Sequence, residues 1–478
     1  MKQWMTALSR RGLCAIAALL LATVCMHAKA QDAQNPDLQV LKDKLEHLEQ
    51  EMQELKAEIK AAEKASQPSA AVAAAPVKAA PAPTAAPPAP PAASEKASAE
   101  KASSEGTIDL YGFAMLDAGY DFNTTDPDWY DVVRPTKLPA FEGEFAPNGK
   151  VYFSVRQSRF GVKSSTPTRL GDLNTKFEFE LYGTGVDAGQ TTFRLRHAYG
   201  ELGPILAGQT WTPFMDTDMF PNELEYWGPN GMPNFRNVQL RWTPVRTNRT
   251  ELVLALERPG ASADQGVYSG RIELKGVVPR FNLPDLSWHA RINRDWGHVQ
   301  LAGIFRKIGW VDTNNDQYNL SGTAFGWGLN LSSNLKLSKQ DVAKFEVTYG
   351  SAIENYMNDA PVDIGIKNNF GNPITPVKGV GLPVFGVVGA LDHSWSERFT
   401  SSLGYSMENI ENSNAESASA FHQGDYAIAN LLYHPIPRVT MGNEFQFGRR
   451  VNDRDGFNVN DYRLQFSFKY EWNKTWAY

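Results

Sequence analysis

From Thr107 onward, apolar and polar residues alternate with period two between runs of turn-forming residues. In the first run Ile108, Leu110, Ala114, Leu116, Ala118, Tyr120 and Phe122 share one face, and Asp109, Asp117 and Asp121 share the other. Over 173–183, Leu173, Phe177, Phe179 and Leu181 oppose Asn174, Lys176, Glu178 and Glu180; over 439–448, Val439, Met441, Phe445 and Phe447 oppose Thr440, Glu444 and Gln446. Tyr462, Leu464, Phe466, Phe468, Tyr470 and Trp472 face away from Arg463, Gln465, Ser467, Lys469 and Glu471. Successive strand side chains point to opposite faces, so each segment has an apolar side for lipid and a polar side for water. A soluble β-sandwich alternates too. The persistence of the pattern and the aromatic residues at strand ends favour a membrane barrel.

Connections supply a second criterion, because bacterial barrels join strands by short turns on one side and long loops on the other. Residues 393–398 and 434–438 read as tight turns, whereas 123–150, 213–235 and 355–383 are long loops. The 372 residues from Thr107 to Tyr478 fill about 16 antiparallel strands, within a range of about 14 to 18. Counting back from Tyr478, every second residue is apolar except Lys474, so either the closing strand reaches the end of the sequence or it stops at Trp472 with 473–478 as a tail.

Upstream the periodicity changes. Leu38, Leu41, Leu45, Leu48, Met52, Leu55, Ile59 and Ala62 recur at alternating intervals of three and four, a heptad seam behind an Asn35-Pro36 helix start. Residues 31–65 are therefore predicted to form an α-helical coiled coil that self-associates, and Asp37/Lys42, Lys44/Glu49 and Glu51/Lys56 make opposite-charge pairs in parallel register. Residues 66–106 are Ala, Pro, Ser and Lys with no large apolar side chain until the strands begin; such a segment cannot bury a core and reads as a semi-stiff linker. Residues 1–30, with Arg10 and Arg11 before an apolar run and Ala28-Lys29-Ala30 at its end, match a secretory signal peptide cut before Gln31.

Composition sharpens this picture. Both cysteines, Cys14 and Cys25, fall in the leader, so disulfides, thiol catalysis and cysteine-ligated metals are excluded from the mature chain. Loss of Lys2, Arg10, Arg11 and Lys29 moves the net charge from −6 to −10, which argues against a nucleic-acid partner. A mean hydropathy of −0.39 is compatible with membrane strands that show lipid only alternate side chains. Gly183, Gly185 and Gly189 lack phosphate-loop spacing, and the histidines stand singly with no His-Glu-x-x-His pair. No enzymatic activity, cofactor or metal site is expected.

Several stretches resemble those of the DcaP-like outer-membrane porins: Val155-Arg156-Gln157-Ser158-Arg159-Phe160-Gly161, Arg194-Leu195-Arg196-His197-Ala198-Tyr199-Gly200, Leu206-Ala207-Gly208-Gln209-Thr210-Trp211, Phe445-Gln446-Phe447-Gly448-Arg449-Arg450 and Arg463-Leu464-Gln465-Phe466-Ser467-Phe468-Lys469-Tyr470. The order of leader, coiled coil, linker and barrel resembles that family as well. The resemblance implies a homotrimer of 16-stranded barrels in the bacterial outer membrane, with the coiled coil in the periplasm. It also implies passage of small anionic solutes, dicarboxylates among them.

In the strands so assigned, Arg156, Arg194, Arg196, Arg241, Arg291, Arg306 and Arg463 have inward parity. Guanidinium groups stay charged and donate paired hydrogen bonds to carboxylates, so these are the candidate pore-lining residues. Glu178, Glu180, Glu251 and Glu346 share that parity, so cross-strand pairing and a net anion-attracting constriction both remain open. Arg159 reads as outward unless the strand bulges. The 213–235 loop, with Asp216, Asp218 and Asn222, is the candidate constriction; an external loop or a clasp on a neighbouring subunit would use the same residues. A structural tether, whose coiled coil binds cell wall (peptidoglycan) or a periplasmic protein while the barrel anchors it in outer-membrane lipid, is the second functional reading.

Overall fold

Every backbone amide within a bilayer must find its partner inside the protein, and a sheet does this only by closing on itself. In the computed structural model, which describes residues 105–478, it does so with sixteen antiparallel strands. The first eight are β1 (Thr107–Asp121), β2 (Lys150–Ser154 continuing as Arg159–Thr168), β3 (Gly171–Tyr182), β4 (Thr191–Leu202), β5 (Ile205–Trp211), β6 (Arg236–Arg246), β7 (Thr250–Glu257) and β8 (Asp285–Arg294). The second eight are β9 (Gly297–Asp312), β10 (Gly322–Lys336), β11 (Asp341–Ser351), β12 (Pro383–Ser394), β13 (Phe399–Ile410), β14 (Phe421–Tyr433), β15 (Val439–Asn452) and β16 (Asn458–Ala477). β1 pairs with β2 on one side and with β16 on the other, so no edge is left. The coiled-coil positions Leu38 to Ile59, and the leader and nearly all of the linker, lie outside the described residues.

The connections sort by end, as the barrel rule requires. Seven turns of two to five residues, 395–398 and 434–438 among them, lie at the end where Thr107 meets Ala477. Eight connections lie at the other end, of which 122–149, 212–235, 258–284 and 352–382 are long. Short turns mark the periplasmic side.

The apolar faces point outward as expected: Leu116, Tyr120, Phe177, Phe445, Phe466 and Phe468 are exposed, while Asp117, Asp121, Glu178, Glu180, Glu444 and Gln465 are buried inside. Trp296, Trp395, Phe399, Tyr470 and Trp476 form an exposed aromatic fringe at the short-turn end, where amphipathic rings suit the headgroup region.

Two local features depart from simple alternation. Between Phe113↔Arg159 and Asp117↔Ser154, three residues of β1 oppose four of β2, and Ser158 N donates to Val155 O at 2.9 Å. This extra residue is a bulge that reverses the parity of everything beyond it. Arg159 accordingly faces inward, against Glu178 and Glu180. At the other end of the sequence, of the two endings left open for the closing strand, β16 takes the longer: it runs to Ala477, with Ile108↔Trp476 and Leu110↔Lys474 in register. Lys474 is tolerated because it lies at the periplasmic rim.

The external loops hold one another. Leu274, Leu320, Ile366 and Ala415, from four different loops, share one buried cluster. Beside it Glu416 accepts the Ile366 amide at 2.7 Å. Burial lifts the Glu416 carboxyl to about 7, above its ordinary value of about 4.3. A folded-state pKa raised in this way stabilises most below the unfolded value, and the contribution is lost as pH rises through the folded one. The contact between 411–420 and 352–382 is thus expected to loosen from about pH 4.3 to about 7. Hydrogen-exchange protection of peptides around Ile366, taken relative to the intrinsic exchange rate at each pH, should fall over that window in the wild type and stay level in Glu416→Gln; equal protection profiles would refute the assignment.

Candidate functional site

The 212–235 loop, called L3 below, turns into the lumen and makes a circuit of the wall. Pro213 O meets His289 Nδ1 of β8 at 3.0 Å, and Gln300 Nε2 of β9 donates to Met215 O at 3.2 Å. Asp216 accepts from Ser332 Oγ of β10 at 2.6 Å and lies 2.6 Å from His298 Nε2 of β9. Lys344 of β11 donates to Phe220 O. Asn222 donates from its backbone to Asp392 of β12 at 3.1 Å and from its side chain to Thr400 of β13 at 3.0 Å. Glu444 of β15 accepts both Leu224 N and Glu225 N, at 2.8 and 2.9 Å. Gln465 of β16 and Gln157 of the β2 bulge both donate to Leu224 O. The circuit closes where the Tyr226 hydroxyl reaches Glu180 of β3 and Arg194 of β4.

The reason for this path is mutual need. Inward strand faces carry polar groups at close spacing, and the loop supplies backbone amides and carbonyls that would otherwise be unpaired. Inward apolar residues, which alternation does not explain, are accounted for too: Ala302 and Ile304 pack on Phe214, and Val388 on Met215, Met219 and Met232.

Asp216, Asp218 and Asn222 are therefore fastening residues of the inward loop. Arg291 of β8 binds Asp216 at 3.3 Å and also Asp218, and it donates to His298 Nδ1 at 3.1 Å. Arginine is only a donor, so His298 Nδ1 accepts and Nε2–H donates to Asp216. Asp216, Asp218 and His298 bring their ligand atoms within 4.8 Å of one another. Asp216 and Asp218 both engage Arg291, and Asp216 also engages His298 and Ser332, so the group fastens L3 to β8, β9 and β10 as a clasp.

The candidate pore arginines other than Arg291 fall into three situations. Arg156 and Arg306, candidate pore-lining residues by their inward parity, do point inward but are enclosed, so of the two readings left open theirs is pairing and they do not line the open pore. Arg156 binds Asp131 at 2.7 Å and lies 3.9 Å from the Tyr182 ring; Arg306 binds Asp285 at 3.0 Å and Asp363 at 2.6 Å. Arg463 is similarly enclosed between Asp121 and Asp461. Arg241 is held by Gln239 Oε1 at 2.9 Å and by the Trp211 carbonyl, and among the described residues it has no carboxylate in ion-pair range. Arg194 and Arg196 belong to a concentrated group on β2–β6. There, among the described residues, Arg159, Lys176, Arg194, Arg196 and Arg236 surround two carboxylates, Glu178 and Glu180. The side chains of Arg159, Lys176 and Arg194 keep 25%, 29% and 20% of their surface open, so this group, unlike the enclosed arginines, presents charge to the lumen.

Sequence reasoning missed Arg159, whose parity the bulge reverses, and Arg236, which follows L3 and stacks 4.6 Å from the Trp211 ring. Tyr226 was missed as well; it lies parallel to Tyr182 at 4.2 Å beside these cations. The acid pair Glu178/Glu180 flanked by Lys176 was a usable signal, since β3 and β4 are neighbours joined across a short loop.

Comparison with known proteins places this geometry. Among solved structures, the outer membrane channel DcaP of Acinetobacter baumannii matches with a TM-score of 0.63 at 19% identity, covering 78% of this chain and 99% of that one. The anion-selective porin from Comamonas acidovorans matches with a TM-score of 0.50 at 9% identity, covering 77% of this chain and all of that one. No curated protein matches the sequence. The family model of the DcaP outer membrane protein matches residues 92–465, most of the described barrel, and this chain therefore belongs to the DcaP outer-membrane protein family.

Proposed function

We propose that the protein is an outer-membrane diffusion porin that favours small anionic solutes, dicarboxylates among them. The observation that carries this reading is the excess of cations over carboxylates on β2–β6, where five basic side chains meet Glu178 and Glu180. Three uncompensated positive charges at about 10 Å in water attract a monovalent anion by about 1 kcal/mol before screening, roughly a fivefold enrichment. A dicarboxylate gains about twice that free energy, and guanidinium forks match its oxygens in pairs. The Tyr226 ring beside Arg194 adds a flat surface suited to an aromatic acid.

The assembly we infer is a homotrimer, with the heptads of 31–65 associating in the periplasm. In planar bilayers under a KCl gradient, the purified protein should conduct with a reversal potential of anion-selective sign. A firmly cation-selective sign, or no conductance at all, would overturn the proposal.

A further inference from the structure

The outer wall carries a second charged site, remote from the lumen. Where β8 would continue upward, the chain instead makes an excursion over 280–284. Register locates its flanks. Glu257↔Asp285 and Leu286↔Phe305 place Arg258 of the β7 edge and Lys307 of β9 on either side of position 284. They stand about two interstrand spacings, roughly 10 Å, apart. Arg280 N donates to Gly309 O at 2.8 Å, two residues above Lys307 on the same outward face. Arg258, Arg280 and Lys307 are exposed, and among the described residues none of the three side chains has an ion pair or hydrogen bond.

Two grooves adjoin these cations. One, of about 670 Å³, runs over the outward side chains Val238, Leu240 and Leu256 beneath Leu283 and Pro284, with Arg258 at its edge. The other opens on Arg280, and Asn282 borders both. Lys307 is ten positions above Gly297. At about 3.3 Å per residue and a tilt of about 40°, that is roughly 25 Å up the barrel, the height of the apolar band. The cations thus sit at the external rim of a lipid-facing surface, above an apolar trough.

We infer that this surface docks an outer-leaflet lipid whose phosphorylated headgroup is net negative, with its phosphates on Arg258, Arg280 and Lys307 and an acyl chain in the trough over Leu240 and Leu256. Lipid is the occupant because the trough faces the bilayer. Phosphate is the headgroup chemistry because three unpaired cations at the rim otherwise lack counter-charge.

The test is native mass spectrometry of the full chain in detergent with three probes: bisphosphorylated lipid A, the same lipid stripped of phosphate, and phosphatidylethanolamine. Retention of the bisphosphorylated lipid should fall at least about tenfold in Arg258→Gln/Arg280→Gln/Lys307→Gln, each cation near a membrane surface being worth about a factor of five. The other two probes should bind weakly and equally to both proteins, and channel conductance should not change. Equal retention by wild type and variant would overturn the inference. So would equal retention of the dephosphorylated lipid, or loss of oligomer with lipid retention unchanged, which would make the surface a contact between protomers.

Discussion

Replacing Arg159, Lys176 and Arg194 together by glutamine should bring the reversal potential close to zero. The substitution leaves Arg196 and Arg236 against Glu178 and Glu180, two cations on two carboxylates, so the local field loses its sign. Glutamine keeps a polar side chain of similar reach, and the remaining pairs are the more buried ones, so the barrel should still assemble. The effect should be largest at low ionic strength, because the screening length shrinks from about 30 Å at 0.01 M to about 3 Å at 1 M salt. Unchanged anion preference in the triple variant would move selectivity to another part of the lumen. Arg156→Gln offers a contrast: its charge is already enclosed with Asp131, so it should alter stability more than selectivity.

Glu444→Ala should release the middle of L3. One buried carboxylate accepts Leu224 N, Glu225 N, Asn430 Nδ2 and Gln446 Nε2, at 2.8 to 2.9 Å. Removing it strands two loop amides, each costing about 1–3 kcal/mol when buried without a partner. That is enough to let 222–226 leave the wall while the strands, with their own ladders, remain closed. Single-channel conductance should rise and fluctuate between levels, and the unfolding temperature of the barrel should change little. Glu444→Gln, which retains one acceptor oxygen, should fall between the two. Quiet, wild-type currents from Glu444→Ala would mean that L3 is held elsewhere, with the Asp216 clasp as the next candidate.

How much of this was legible in the sequence depends on the range of the interaction. Alternation placed Phe177 and Phe445 outside and Glu178 and Glu444 inside, because side-chain direction in a strand follows from position alone. Turn spacing likewise located 393–398 and 434–438. The fate of each inward arginine was not legible. Arg156 and Arg306 are neutralised by Asp131 and Asp363, loop residues whose positions no strand period predicts. Arg159 needed knowledge of a one-residue bulge, and nothing in Gln157-Ser158 announces one. The inward course of L3 was one of several open readings. Its acidic residues became informative only once Arg291, His298 and Ser332 were seen side by side on β8, β9 and β10.

The most direct test of the central claim is uptake into liposomes of paired solutes of similar size, one neutral and one a dicarboxylate, through the wild-type protein at low salt. The expected result is faster entry of the dicarboxylate, by several-fold at 0.01 M salt and converging on the neutral rate at 1 M. Equal rates at both salt concentrations, or faster entry of the neutral solute, would contradict an anion-favouring pore.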